Sequence, residues 1–177
     1  MAATVAMAMP MSAMAASITV MVHLKMKLTK RIRFFDYTSS GDSYAYTMSA
    51  DSAWKSVVEG YEYASGQKLF TLTPSANDAN VLVVTTTTTM TEVMAGDFAA
   101  YLSENSTGKS ADETVTASKV NGEVVASFDS LGAGYYFVNT TTGSVCSLVN
   151  KDSSQTLREK NDLPSIVKKD CYNSRGG

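Results

Sequence analysis

The sequence predicts an all-β domain, an antiparallel β-sandwich with small helical insertions, and three observations lead to this prediction. Thr, Val and Tyr, which suit a half-buried pleated surface, are frequent in the body of the chain. From Phe34 onward, short alternating segments are separated by turn residues at about ten-residue intervals. Strands do not alternate regularly with long helices, so a parallel sheet is not indicated.

Length and composition limit the classes of protein that are expected. The 177 residues suffice for one domain with an apolar core. A hydrophobic fraction of 44% with 18% charged residues excludes a disordered chain and a bundle of membrane helices. The net charge of −2 provides no basic surface for nucleic acid, so no nucleic-acid partner is expected.

The first fifteen residues resemble an export signal. An uncharged stretch rich in Ala, Met and Val runs over residues 2–14 and ends in a small-x-small pattern that predicts cleavage after Ala15. Pro10 and a length below the roughly 20 residues that span a bilayer argue against a transmembrane helix. Because no Lys or Arg precedes the apolar stretch, residues 1–15 are interpreted as a signal-peptide remnant. No stable membrane span is expected after its removal.

The first predicted elements are a hairpin and a helix. Residues 34–37 and 44–48 are expected to pair across a turn at 39–42. A helix should follow, with a cap at 49–51 and an apolar face of helical spacing that begins at Trp54. Trp54 is expected in the core rather than at a ligand site.

The remaining elements complete the sandwich. The predicted strands are 68–73, 81–89, 113–118, 123–128, 135–140 and 144–149. The Thr run at 85–89 is interpreted as a solvated strand face or edge. A short helix over 98–102, capped by Asp97, is expected between the second and third of these strands. Asn121-Gly122 predicts a tight hairpin turn that pairs 113–118 with 123–128.

No motif indicates an enzyme, a metal site or a cofactor. The only imidazole, His23, lacks a nucleophile partner in the sequence pattern, and no CxxC, HExxH or glycine-rich phosphate loop is present. The two cysteines are too few for a disulfide framework. Cys146 is expected as a small buried side chain on a strand, and a disulfide with Cys171 is the alternative.

Four segments resemble, in the same order, motifs of the sortase-assembled fimbrial subunits of Gram-positive bacteria, which are pilins of the isopeptide-forming domain family. The segments are FDYTSSGDSYAY at 35–46, GDFAAYL at 96–102, GYYFV at 134–138 and NDLPSIVKK at 161–169. The resemblance spans about residues 16–169. It implies an immunoglobulin-like sandwich at residues 16–162, the amino-terminal domain of a rod. Residues 163–177 would be the truncated start of a second domain.

The resemblance also implies two reactive lysines near the end of the chain. In this family a Lys that opens the second domain forms an isopeptide bond with a distant Asn, and Lys168 has that position, with Lys169 as the alternative. The Lys that a class C sortase joins to the next subunit lies in a YPKN-like motif. The matching residues here are REKN at 158–161, so Lys160 is the candidate, with Glu159 in place of the Pro.

The implied function is that of a secreted structural subunit of a pilus at the cell surface or cell wall. Its partners would be other pilin subunits and a sortase. The alternative is an adhesin domain that binds host matrix or glycans through loops of the same sandwich. A non-functional gene fragment is a third interpretation, because residues 21–34 and 170–177 depart from the family pattern.

Overall fold

The computed structural model describes residues 16–22, 28–40, 43–140, 143–149 and 153–158. Within these residues the chain is built mainly from strands, with two helices. The first elements are β1 (Ala16–Met21), β2 (Leu28–Ser40), β3 (Ser43–Ser49), α1 (Lys55–Gly60), β4 (Glu62–Ala64), β5 (Gln67–Lys68), β6 (Phe70–Pro74) and β7 (Val81–Thr86). The others are α2 (Glu92–Glu104), β8 (Glu113–Thr116), β9 (Ser118–Val120), β10 (Glu123–Leu131), β11 (Gly134–Val138), β12 (Ser144–Leu148) and β13 (Ser154–Arg158).

Two sheets make up the body of the domain. The smaller has the strand order β13-β1-β10-β9, and the larger has the order β12-β11-β2-β3-β7-β6, with β8 also paired to β2. The predicted immunoglobulin-like antiparallel sandwich with small helical insertions is confirmed. One pair departs from the antiparallel pattern, since β1 and β13 run parallel, with Ser17 opposite Ser154 and Met21 opposite Arg158.

Two apolar cores lie on opposite faces of the larger sheet. The inter-sheet core, between the two sheets, includes Ile18, Val20, Phe128, Tyr136 and Leu148. The helix-side core, between the larger sheet and the two helices, includes Phe34, Val58, Phe70, Phe98 and Phe137. Because successive side chains of a strand point to opposite faces, β11 contributes to both cores. The helices therefore form a third layer over the sandwich.

Several predicted elements are confirmed. The first hairpin forms from β2 and β3, with Tyr37 opposite Tyr46. Trp54 is buried in the helix-side core, as expected. It is also the N-cap residue of α1, so the predicted cap at 49–51 is wrong. The φ angles of Asn121 and Gly122 are +50° and +93°, the left-handed pair that a primed hairpin turn requires between β9 and β10. Cys146 is a buried residue of β12.

The second helix begins earlier than the sequence indicated. Its N-cap is Thr91, whose Oγ1 accepts a hydrogen bond of 3.2 Å from the backbone N–H of Met94, and Asp97 lies inside the helix rather than at its start. Glu92 in the first turn suits the positive end of the helix dipole. The prediction that α2 starts after Asp97 is therefore wrong.

The strand expected at 113–118 is two strands. Its first half, β8, pairs with β2 in the larger sheet, and its second half, β9, pairs with β10 in the smaller sheet. The two halves meet at Ala117, which is 1% exposed in the inter-sheet core. The Thr run at 85–89 is exposed, as expected. The strand predicted at 81–89 ends at Thr86, and this strand, β7, lies between β3 and β6 and is not an edge.

Candidate functional site

The reactive residues that the sequence singled out lie outside the described residues. These are Ala15, Lys160, Lys168, Lys169 and Cys171. Each therefore stays a prediction. The last described strand, β13, ends at Arg158, two positions before Lys160. Within the described ranges, no cluster of three or more His, Cys, Asp or Glu side chains could hold a metal ion, and no helix is long and apolar enough to cross a membrane.

The first and last described strands run in the same direction, which places the two ends of the described domain apart. β1 and β13 are parallel neighbours, so the chain enters β1 and leaves β13 at opposite ends of the smaller sheet. Five residues of β-strand span about 16 Å. Arg158, the last residue of β13, therefore lies beside Met21, at the far end of β1 from Ala16.

A cleft of about 670 Å³ lies near this exit. Its walls come from α2, from the turn before β12 and from the end of β13, and the lining includes Glu92, Asp97, Thr140, Leu157 and Arg158. Both acidic and basic side chains face this cleft. We call it the exit cleft.

A second cleft, of about 510 Å³, lies on the helix-side face of the larger sheet. Its principal lining residues are Phe35, Tyr44, Tyr46, Phe70, Met90 and Tyr135. We call it the aromatic cleft. Tyr44 is 68% exposed at its mouth, whereas Phe35 and Phe70 belong to the buried helix-side core. The cleft is thus the place where that core opens to solvent.

The β2–β3 hairpin positions the rings of the aromatic cleft. Tyr44 and Tyr46 are two residues apart on β3, so both face the same side of the sheet as Tyr37, which is opposite Tyr46. The ring of Tyr37 stacks on that of Tyr44, with centroids 5.7 Å apart and an interplanar angle of 22°. Tyr46 meets Tyr135 edge to face at 6.0 Å. These contacts hold the exposed ring of Tyr44 at the end of a continuous aromatic cluster.

The deeper hydroxyl groups of the aromatic cleft already have protein partners. Tyr46 Oη and Ser147 Oγ form a hydrogen bond of 2.6 Å, and Tyr135 Oη donates to Met90 Sδ at 3.3 Å. Burial raises the pKa of Tyr135 well above its usual value and, to a smaller degree, that of Tyr46. Both phenols are therefore neutral at physiological pH. The Tyr44 and Thr86 hydroxyls have no hydrogen-bond partner in the described part of the chain.

The aromatic cleft was not predicted from the sequence. Tyr37, Tyr44 and Tyr46 were recognised only as strand residues of the hairpin, although their spacing already placed them on one face. Tyr135 and Met90 join them only through the tertiary fold. Comparison of the chain with family models, with curated proteins and with solved structures gives no match.

Proposed function

We propose that this chain is a secreted structural subunit of a bacterial cell-surface pilus, in which the sandwich spaces and joins successive subunits. The observation that carries the proposal is the parallel pairing of β1 with β13, which sends the chain in and out at opposite ends of one sheet. A subunit of a head-to-tail polymer needs such separated ends, since each end meets a different neighbour.

Three of the four segments that resemble pilins also support the proposal, because they belong to one packed unit. Segment 35–46 forms most of the β2–β3 hairpin, 96–102 lies in α2, and 134–138 is β11. Phe34, which precedes the first segment, contacts the other two through Phe98 at 5.7 Å and Tyr135 at 5.3 Å. The three segments therefore contribute to one core of this domain.

The position of the exit cleft supports a covalent link between neighbouring subunits at Lys160. It includes Arg158, two residues before that Lys, and a neighbouring chain that is to be linked there needs space and polar partners. Its mixed charges suit the polar backbone of an extended segment. Lys160 is therefore the position at which we expect the sortase to form an amide bond.

Sortase transfer onto the purified chain tests the proposal. The chain is incubated with a class C sortase and a second subunit that carries a wall-sorting signal, and conjugates are mapped by mass spectrometry. We expect one conjugate, linked through Lys160, and its loss in Lys160→Ala. Lys119→Ala, which changes an exposed Lys of β9, is the matched control. Absence of any conjugate contradicts the proposal, and a conjugate at another Lys contradicts the role of Lys160.

An adhesin domain is the second candidate, and the aromatic cleft is the observation that favours it. An exposed Tyr that is stacked on a second ring beside an open cleft has the features of a binding surface. Structural and adhesive roles do not exclude each other, since they use different parts of the domain.

A further inference from the structure

We infer that the aromatic cleft binds a proline-rich peptide segment in the polyproline II conformation. The inference concerns the binding role of this cleft and does not depend on Lys160. A failed sortase experiment therefore does not contradict peptide binding by the cleft. Failure of peptide binding, in turn, does not contradict the sortase linkage at Lys160.

In the described part of the chain, the lining of the aromatic cleft is neutral. Apart from tyrosine phenols, none of the lining residues found in the described part of the chain is ionisable. Burial keeps the Tyr135 phenol neutral by raising its pKa. Phosphate and carboxylate groups are recognised through positively charged side chains, so the cleft does not suit an anionic ligand.

Few polar groups of the aromatic cleft are free to bind a ligand. The Tyr46 hydroxyl is paired with Ser147 and that of Tyr135 with Met90, which leaves chiefly the hydroxyls of Tyr44 and Thr86 at the mouth. A sugar would lose hydration at many hydroxyls, and each would need a partner in the cleft. A ligand with large apolar faces and a few acceptors is a better match.

A polyproline II segment has large apolar faces and a few hydrogen-bond acceptors. Proline rings offer apolar faces to aromatic side chains, and the helix forms no internal hydrogen bonds, so its carbonyl groups are free to accept from Tyr hydroxyls. The conformation exists before binding, which lowers the entropic cost of association. The exposed ring of Tyr44 and the pair it forms with Tyr37 would supply the stacking surface, and the Tyr44 hydroxyl a donor.

Titration of the isotope-labelled full chain with a capped oligoproline of about ten residues tests the inference. We expect saturable shifts of backbone amide signals at Tyr44, Tyr46 and Thr86, and none in β9 at the other sheet. Tyr44→Ala should weaken binding about ten-fold, because it removes the exposed ring. Tyr44→Phe keeps the ring and should weaken binding less. Val93→Ala, which trims an apolar side chain that is 72% exposed on α2, should leave the affinity unchanged.

Several results would overturn the inference. One is the absence of shifts at millimolar oligoproline, and another is equal affinity for the wild type and Tyr44→Ala. A third is a stronger response of the same amides to a soluble neutral oligosaccharide or to a Gly/Ser peptide of equal length. Thermal unfolding of each variant shows whether it is folded, and Tyr44→Phe keeps the test decisive if Tyr44→Ala is not.

Discussion

The guanidinium of Arg31 donates two hydrogen bonds to one carboxylate oxygen of Glu113, from Nε at 3.3 Å and from Nη2 at 3.1 Å. The two residues face each other across β2 and β8, 82 positions apart in sequence. The same guanidinium lies 5.3 Å from the ring centroid of Tyr136 and 5.9 Å from that of Phe128. Arg31 therefore joins β8 to the larger sheet and covers the margin of the inter-sheet core.

Replacement of Arg31 should destabilise the domain. Because its side chain is only 12% exposed and meets both a carboxylate and two rings, Arg31→Ala should lower the free energy of unfolding by about 2 kcal/mol. Glu113→Gln keeps an acceptor and should cost less, about 0.5 kcal/mol, since its side chain is 39% exposed. Urea unfolding measures both. An Arg31→Ala loss no larger than that of the exposed control Lys119→Ala would contradict this role.

The turn before β12 is expected to tolerate only Gly at position 143. Gly143 has φ +75°, and a β-carbon there would lie 2.5 Å from the carbonyl oxygen of Ala99 in α2. Gly143→Ala should therefore combine left-handed strain with a backbone clash and cost about 3 kcal/mol or more. Chemical denaturation of the purified variant measures the loss.

Gly108 provides the matched control for this substitution. Its φ of +76° is nearly the same, but nothing lies within 4 Å of a β-carbon built there. Gly108→Ala should lower the free energy of unfolding by about 1 kcal/mol, because it introduces the left-handed backbone strain without the clash. Equal losses in the two variants would show that contact with Ala99 does not restrict the turn.

Thr29 is expected to be a site at which a substitution stabilises the protein. Its side chain is 1% exposed, and Oγ1 has no hydrogen-bond partner among the described residues. A buried hydroxyl without a partner loses hydration and gains nothing in return. Thr29→Val should raise the free energy of unfolding by about 1 kcal/mol.

Thr140 should respond to the same change in the opposite direction. It is also buried, at 7% exposure, but its Oγ1 lies 2.7 Å from Ser144 Oγ. Thr140→Val breaks that hydrogen bond and should cost about 1 kcal/mol. If both valine variants shift the urea midpoint in the same direction, the presence of a hydrogen-bond partner for the hydroxyl does not determine the change in stability.

The sequence predicted those elements whose signals are local. The Asn121-Gly122 turn needs two left-handed residues and has them, and the Trp54 helix shows its apolar face within two turns. The predicted start of α2 was wrong because Thr and Asp are both favourable N-cap residues. The local sequence does not show that Thr91 rather than Asp97 begins the helix.

Long-range features could not be predicted from the sequence. The parallel pair of β1 and β13 joins residues more than 130 positions apart, as Ser17 and Ser154 are, and the exchange of sheets at Ala117 depends on a core built by other strands. The aromatic cleft required Tyr135 and Met90 to meet a hairpin that precedes them by more than forty residues. The sequence showed only that tyrosines alternate along one strand of that hairpin, at Tyr44 and Tyr46.

Stability should fall in alkaline solution because two buried acids lose protons more readily in the unfolded chain. Burial raises the pKa of the Cys146 thiol to about 12, and it also raises that of the Tyr135 phenol. In the unfolded chain the pKa is about 8.5 for a Cys thiol and about 10 for a Tyr phenol. Folded pKa values above unfolded ones stabilise the protein fully below about pH 8, and this stabilisation is lost as the pH rises.

The free energy of unfolding should therefore decrease between about pH 8 and pH 11, by up to about 1.4 kcal/mol per pH unit for each group that titrates. Cys146→Ala should make this decrease shallower, although it lowers stability at pH 7 by opening a small cavity. Val93→Ala, which changes an exposed side chain of α2 that does not titrate, is the control and should keep the wild-type slope. Urea unfolding at a series of pH values measures all three slopes, and an unchanged slope in Cys146→Ala would show that its thiol does not contribute.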